Sequence, residues 1–103
     1  MKPYANLHMY TDVRPYEVIR VVSDKTIELR QMNAERDPTW KPDTIIGGFA
    51  GHTVNNHTQR YTYSVNEDAS IIRARLRKDG YFHSKLGRHV LSDNPIYFYD
   101  YNF

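Results

Sequence analysis

Tyr16-Glu17-Val18-Ile19-Arg20-Val21-Val22, then Ser23-Asp24-Lys25, then Thr26-Ile27-Glu28-Leu29-Arg30-Gln31-Met32 form the most regular stretch of the chain. The first run is rich in β-branched residues, which favour a pleated, half-buried surface. The middle three residues have turn chemistry. The last run alternates apolar and polar positions, placing Ile27 and Leu29 on one face. Two such runs across a short polar turn predict a β-hairpin.

Outward from this hairpin, further strands are expected at 59–65, at 70–78 and at Tyr81-Phe82. Tyr61, Tyr63 and Val65 share a face in the first, and Ile72, Ala74 and Leu76 point inward in the second. Lys78-Asp79-Gly80 is a tight turn, since Asp-Gly is a strong hairpin signal. Residues 83–88 read as a loop, His89-Val90-Leu91 as another strand, and Tyr97 to Phe103 as a terminal strand with aromatics on both faces. Residues 1–7 read as a loose lead-in. Between 33 and 56, Pro38, Pro42, Gly47, Gly48 and Gly51 interrupt any regular element, while Trp40, Ile45, Ile46 and Phe49 supply apolar surface. That segment is expected to be a long semi-ordered excursion packed on something or covering a ligand. No stretch of ten residues has a helical period. The fold class is therefore mainly β: a single domain over 1–103, a small SH3-like or Tudor-like β-barrel with a long inserted loop.

Composition bounds the function. The chain has 103 residues, enough for one modest core. Nine of its fourteen aromatics are Tyr, which suits surfaces that are half apolar and half wet. A net charge of +2 gives no global polycation to drive non-specific nucleic-acid binding. Cysteine is absent, which removes disulfides, thiolate metal ligands and thiol nucleophiles. With no apolar signal segment and no run long enough for a membrane span, a cytoplasmic protein is expected.

The chemistry-bearing pattern is Ile71-Ile72-Arg73-Ala74-Arg75-Leu76-Arg77-Lys78. In a strand, Arg73, Arg75 and Arg77 share one face at intervals of about 7 Å. Three guanidinium groups in line repel one another unless an anion intervenes, and their planar forks suit phosphate. The same residues also fit an exposed face balanced by carboxylates of neighbouring strands. Phe82, just beyond, could stack a base or fill the core; it and Tyr81 must point to opposite faces. Gly47-Gly48-Phe49-Ala50-Gly51-His52 is a second candidate, because paired glycines let backbone N–H groups approach a phosphate. It lacks the Lys-Ser or Lys-Thr of a P-loop, and a plain flexible loop fits it too. The five histidines do not show a zinc-ligand pattern, and no nucleophile elbow or spaced carboxylate pair is present. No cofactor, metal or catalytic residue is expected. The exposed aromatic strip at the C-terminus predicts a homo-oligomer.

The chain resembles the small phage-encoded Thoeris anti-defence proteins of the first type, sponges that sequester signalling nucleotides. The resemblance is carried by Tyr10-Thr11-Asp12-Val13-Arg14-Pro15-Tyr16-Glu17-Val18-Ile19, by Ser23 to Gln31, by Arg75-Leu76-Arg77-Lys78-Asp79-Gly80-Tyr81-Phe82 and by Tyr99-Asp100-Tyr101-Asn102-Phe103. It implies a Tudor-like barrel that dimerises and in some members forms hexamers. It implies capture, without cleavage, of cyclic ADP-ribose isomers in the infected bacterial cytoplasm, with cyclic oligonucleotides as further ligands of some members. Carried over by position, Phe82 stacks the base, Arg75 and Arg77 hold phosphates, and Arg88 assists; Gly48 and His52 lie in a loop with no established counterpart. The competing expectations are a nucleic-acid-binding small barrel, disfavoured by the charge, and a phage structural or interaction module.

Overall fold

The computed structural model describes residues 1–41, 44–45, 52–53 and 59–99, with backbone alone at 44–45 and 52–53. Its strands are β1 (Tyr4–His8), β2 (Val13–Arg14), β3 (Tyr16–Ser23), β4 (Thr26–Gln31), β5 (Asn33–Arg36), β6 (Thr44–Ile45), β7 (His52–Thr53), β8 (Tyr61–Ser64), β9 (Ile71–Leu76), β10 (Phe82–Ser84) and β11 (Gly87–Ser92). The main sheet runs β11-β10-β9-β4-β3-β1-β2, and β11 also pairs with β1. That last pairing closes six strands into a small β-barrel, with β2 as an extra strand on the outside. Closure satisfies the backbone groups that an open edge would expose. No helix of the described residues is long and apolar enough to cross a membrane.

The predicted hairpin is β3–β4, joined by Asp24-Lys25 with Ser23 opposite Thr26. Its register shifts twice, at Ile19 and at Val22. Each shift is a bulge that bends the strand and increases its twist, which a short barrel wall needs in order to curl. Ile27 and Leu29 enter the core with Ala5, Leu7, Tyr16, Ala74 and Phe82, and Val18, Ile72 and Leu91 pack around them.

Residues 1–7 are not a loose lead-in. From Tyr4 onward they form β1, which pairs with β11 over five residues and buries Ala5, Asn6 and Leu7. Asn6 is buried because its amide is fully employed: Nδ2 donates to the Asn94 carbonyl at 3.1 Å, and Oδ1 accepts the Ile96 N–H at 3.0 Å. A strand covered on both faces has no polar–apolar alternation to announce it. Residues 83–88 are likewise not a loop. They complete β10, turn at Lys85-Leu86 and begin β11, with Ser84 opposite Gly87. Leu76, expected inward, lies at the barrel rim and is 38% exposed.

The expected long loop is a strand-built arm in its described part. β5 pairs with β8 and β6 with β7, both antiparallel. The two ladders keep one register: Asn33 faces Ser64, Arg36 faces Tyr61, and Thr44 faces Thr53. The Asp37 N–H donates to the Arg60 carbonyl at 2.8 Å in that same register. Trp40 is buried beside the turn closed by its N–H and the Asp37 carbonyl. The C-terminal tail ties the arm to the barrel. The Tyr97 N–H donates to the Tyr63 hydroxyl at 2.8 Å, and Gln59 exchanges hydrogen bonds with the Tyr99 backbone. Phe98 bridges Val13 on β2. Of the terminal strand expected over Tyr97 to Phe103, this bridge is the described strand pairing, and 100–103 lie outside the described residues.

Candidate functional site

Alternation along β9 does what the sequence predicts: Ala74 is buried and Arg73 and Arg75 are exposed. Arg77 follows β9 and flanks a three-residue hairpin loop, Lys78-Asp79-Gly80. The Gly80 N–H donates to the Arg77 carbonyl at 3.0 Å, and the Arg77 N–H donates to the Tyr81 carbonyl at 3.0 Å. Gly80 has φ +86°, the left-handed conformation that completes a turn of this kind and that a side chain would strain. Asp79 shapes the loop by accepting the Tyr81 N–H at 3.0 Å. Arg77 therefore stands opposite Tyr81, and Arg75 opposite His83.

The three arginines differ in their company. Arg73 lies 3.2 Å from Glu28, which is also held by Arg20 at 3.2 Å. Exposed pairs of this kind contribute under about 1 kcal/mol, and they draw the Arg73 guanidinium toward Glu28 on β4. Among the described residues, Arg75 and Arg77 have no carboxylate partner. With Leu76, Lys78 and Asp79 they line an open cleft of about 670 Å³.

Phe82 is not the stacking residue. It is 4% exposed and belongs to the core, opposite Leu76. Pleating sends Tyr81 the other way, to the face of Arg75 and Arg77, where it is 38% exposed. The Arg88 guanidinium lies over the Tyr81 ring, 4.8 Å from its centroid. Arg88 thus stands on β11 rather than in a loop, against Tyr81 and outside the lining of the cleft.

Register extends this face beyond what spacing along one strand can reveal. Thr26 faces Arg75, Arg75 faces His83, His83 faces Arg88, and Arg88 faces His8. Four basic side chains on four adjacent strands form one row across the barrel wall. His8 and His83 were not singled out by the sequence: His8 directly follows the segment read as a lead-in, and His83 opens one read as a loop. Burial and the Arg88 charge lower the His8 pKa from its ordinary value. Asp79, in the β9–β10 turn, accepts from His83 Nε2 at 2.7 Å. Its pKa is lowered by the Tyr81 N–H, by His83 and by the Arg88 charge.

Beneath the row, His89 is fully buried. Its Nδ1–H donates to the Ala5 carbonyl at 3.0 Å, so in the neutral ring Nε2 accepts from the Ser84 hydroxyl at 2.8 Å. Ser84 Oγ also accepts the Leu86 N–H at 3.1 Å. This Ser–His contact pins the β10–β11 turn to β1, and the ring makes an edge-to-face contact with Tyr16 at 5.1 Å. Burial lowers the His89 pKa.

Gly48 lies outside the described residues, while the His52 backbone pairs with Ile45 in the arm. Among the described residues, no three His, Asp or Glu side chains are grouped to hold a metal ion. No family model, curated protein or solved structure matches the chain.

Proposed function

We propose that this protein captures a phosphate-bearing cyclic nucleotide, a cyclic ADP-ribose isomer in the first place, and holds it without cleaving it, as the phage sponges it resembles do. The observation that carries this reading is the pair Arg75 and Arg77, which make no ion pair among the described residues and line an open cleft, with exposed Tyr81 on the same face. Two guanidinium forks supply charge-assisted donors for a diphosphate. Tyr81, rather than Phe82, supplies the ring for the base. The cleft is open, so a second copy of the chain is assigned the role of closing it. Closure excludes water and slows release, which is what sequestration requires. The infected bacterial cytoplasm is where such a signal would be met.

The test mixes the protein with a cyclic ADP-ribose isomer, removes the free ligand by filtration and then heats the complex. Intact ligand should return on heating; a cleaved product would make the protein a hydrolase. Arg77→Ala should weaken retention at least ten-fold, because a charge-assisted hydrogen bond contributes about 1.5–3 kcal/mol. Unchanged retention, or sedimentation of the complex as a 12.2 kDa monomer, would reject the shared pocket. Binding that strengthens with oligonucleotide length and falls steeply with salt would replace it with a strand-binding function.

A further inference from the structure

The basic row extends past the cleft, and its outer half has no part in the function proposed above. Arg75, His83, Arg88 and His8 stand opposite one another on β9, β10, β11 and β1. Adjacent strands lie ~4.8 Å apart, so the row spans about 14 Å. Arg88 sits near its middle. One face of its guanidinium rests on Tyr81, and it makes no ion pair among the described residues. A guanidinium stacked on a ring is held in place while its donor edges stay free, which is the geometry in which Arg grips an oxyanion. His83 is already fixed at Nε2 by Asp79.

We infer that Arg88, with His83 and His8 on either side, forms a second oxyanion site of the phosphate or sulfate class, for which Asp79 is the built-in competitor. The Asp79 carboxylate occupies the position of a guest: it takes the His83 donor and lies within the field of Arg88. An arriving anion competes with it for those charges. The site also couples binding to protons. His8 faces Arg88 from β1, with Val13 of β2 on its other side and the Arg14–Asp12 pair (3.6 Å) one residue on. His83 faces Arg75, Arg88 and Asp79, and buried His89 lies beneath both histidines. The arginine that disfavours a proton on His8 is the one an anion would neutralise. Anion binding therefore promotes protonation of His8, and acidification strengthens anion binding.

This inference does not depend on the cyclic-nucleotide reading, and its probe keeps the two apart. Sulfate keeps its charge between about pH 5.5 and about pH 8, so any pH dependence of binding belongs to the protein. Sulfate titration followed by amide NMR shifts should move residues 8, 83 and 88 together, at least three-fold more tightly at the acid end. Arg88→Gln should weaken it more than ten-fold, and Arg77→Gln less than two-fold. The double variant His8→Gln with His83→Gln should flatten the pH profile. Asp79→Asn keeps the oxygen that accepts the Tyr81 N–H but removes the charge, and should tighten sulfate several-fold. Shifts that spare residues 8 and 88, a flat profile in the parent protein, or weaker binding in Asp79→Asn would each overturn the inference. Loss of cyclic nucleotide binding in Arg77→Ala with the sulfate site intact would separate the two sites.

Discussion

Tyr81 and Phe82 are chain neighbours with opposite environments, and the pleat alone separates them. Phe82 fills the core between β9 and β11, while Tyr81 supports Arg88 on the outer face. The consequences of truncation should differ accordingly. Phe82→Ala should cost about 3–5 kcal/mol of stability, a large share of what a domain this small holds. Tyr81→Ala should change stability by about 0.5 kcal/mol or less, yet weaken a stacked nucleotide by about 1–3 kcal/mol. Denaturant titration and ligand binding on the two variants check this pair. Equal losses of stability would remove Tyr81 from the site. That an aromatic would stand beside the arginines was legible in the sequence. Which of the two it was depended on register relative to the barrel interior, and only pairing with Leu76 and Arg77 sets that.

At the level of elements, β4 and β9 have neighbours on both sides, while β5 and β8 are paired with each other. A barrel strand can open its amides only by disturbing two ladders and the core beneath. In the arm ladder the β5 positions are mostly exposed. Native-state hydrogen exchange should therefore show β4 and β9 amides opening near the global unfolding free energy, and β5 and β8 amides opening well below it. Uniform protection across the four strands would contradict this. The tail restrains the arm at its base through Tyr63, Gln59 and the Tyr97 ring, which meets Tyr61 at 4.5 Å and Arg14 at 4.7 Å. Pro38 interrupts the chain after β5, yet the pairs on either side of it keep a single register. Breakers are local signals, whereas register is a relation between segments about thirty residues apart.

For the molecule as a whole, barrel closure leaves its mark on the pH dependence of stability. His89 is sealed under the seam between β1 and β11, and His8 lies on that seam. Burial lowers both pKa values below the ordinary 6.5. The unfolded chain then takes up protons before the folded one does. Stability present above 6.5 is lost as pH falls toward the folded values. The urea midpoint should therefore fall between about pH 7.5 and about pH 5.5. His8→Gln should remove part of that fall. A midpoint that is constant or rises over this window would show that neither imidazole is held neutral by the fold. Asp37 and Asp79, whose pKa values are lowered by local hydrogen bonds, act in the same direction only below 3.8.

What the linear chain determined was whatever depends on neighbours along it. The β3–β4 hairpin, the Asp79-Gly80 turn and the shared face of Arg73 and Arg75 all follow from side-chain chemistry and a period of two. Pairing between distant strands decided the rest. It buried β1, gave Arg73 a partner in Glu28 and Arg75 and Arg77 none among the described residues, turned Phe82 inward, and set His8 beside Arg88 eighty positions away. Alternation is a property of one strand, but a row of basic side chains across four strands exists only once the sheet has closed on itself.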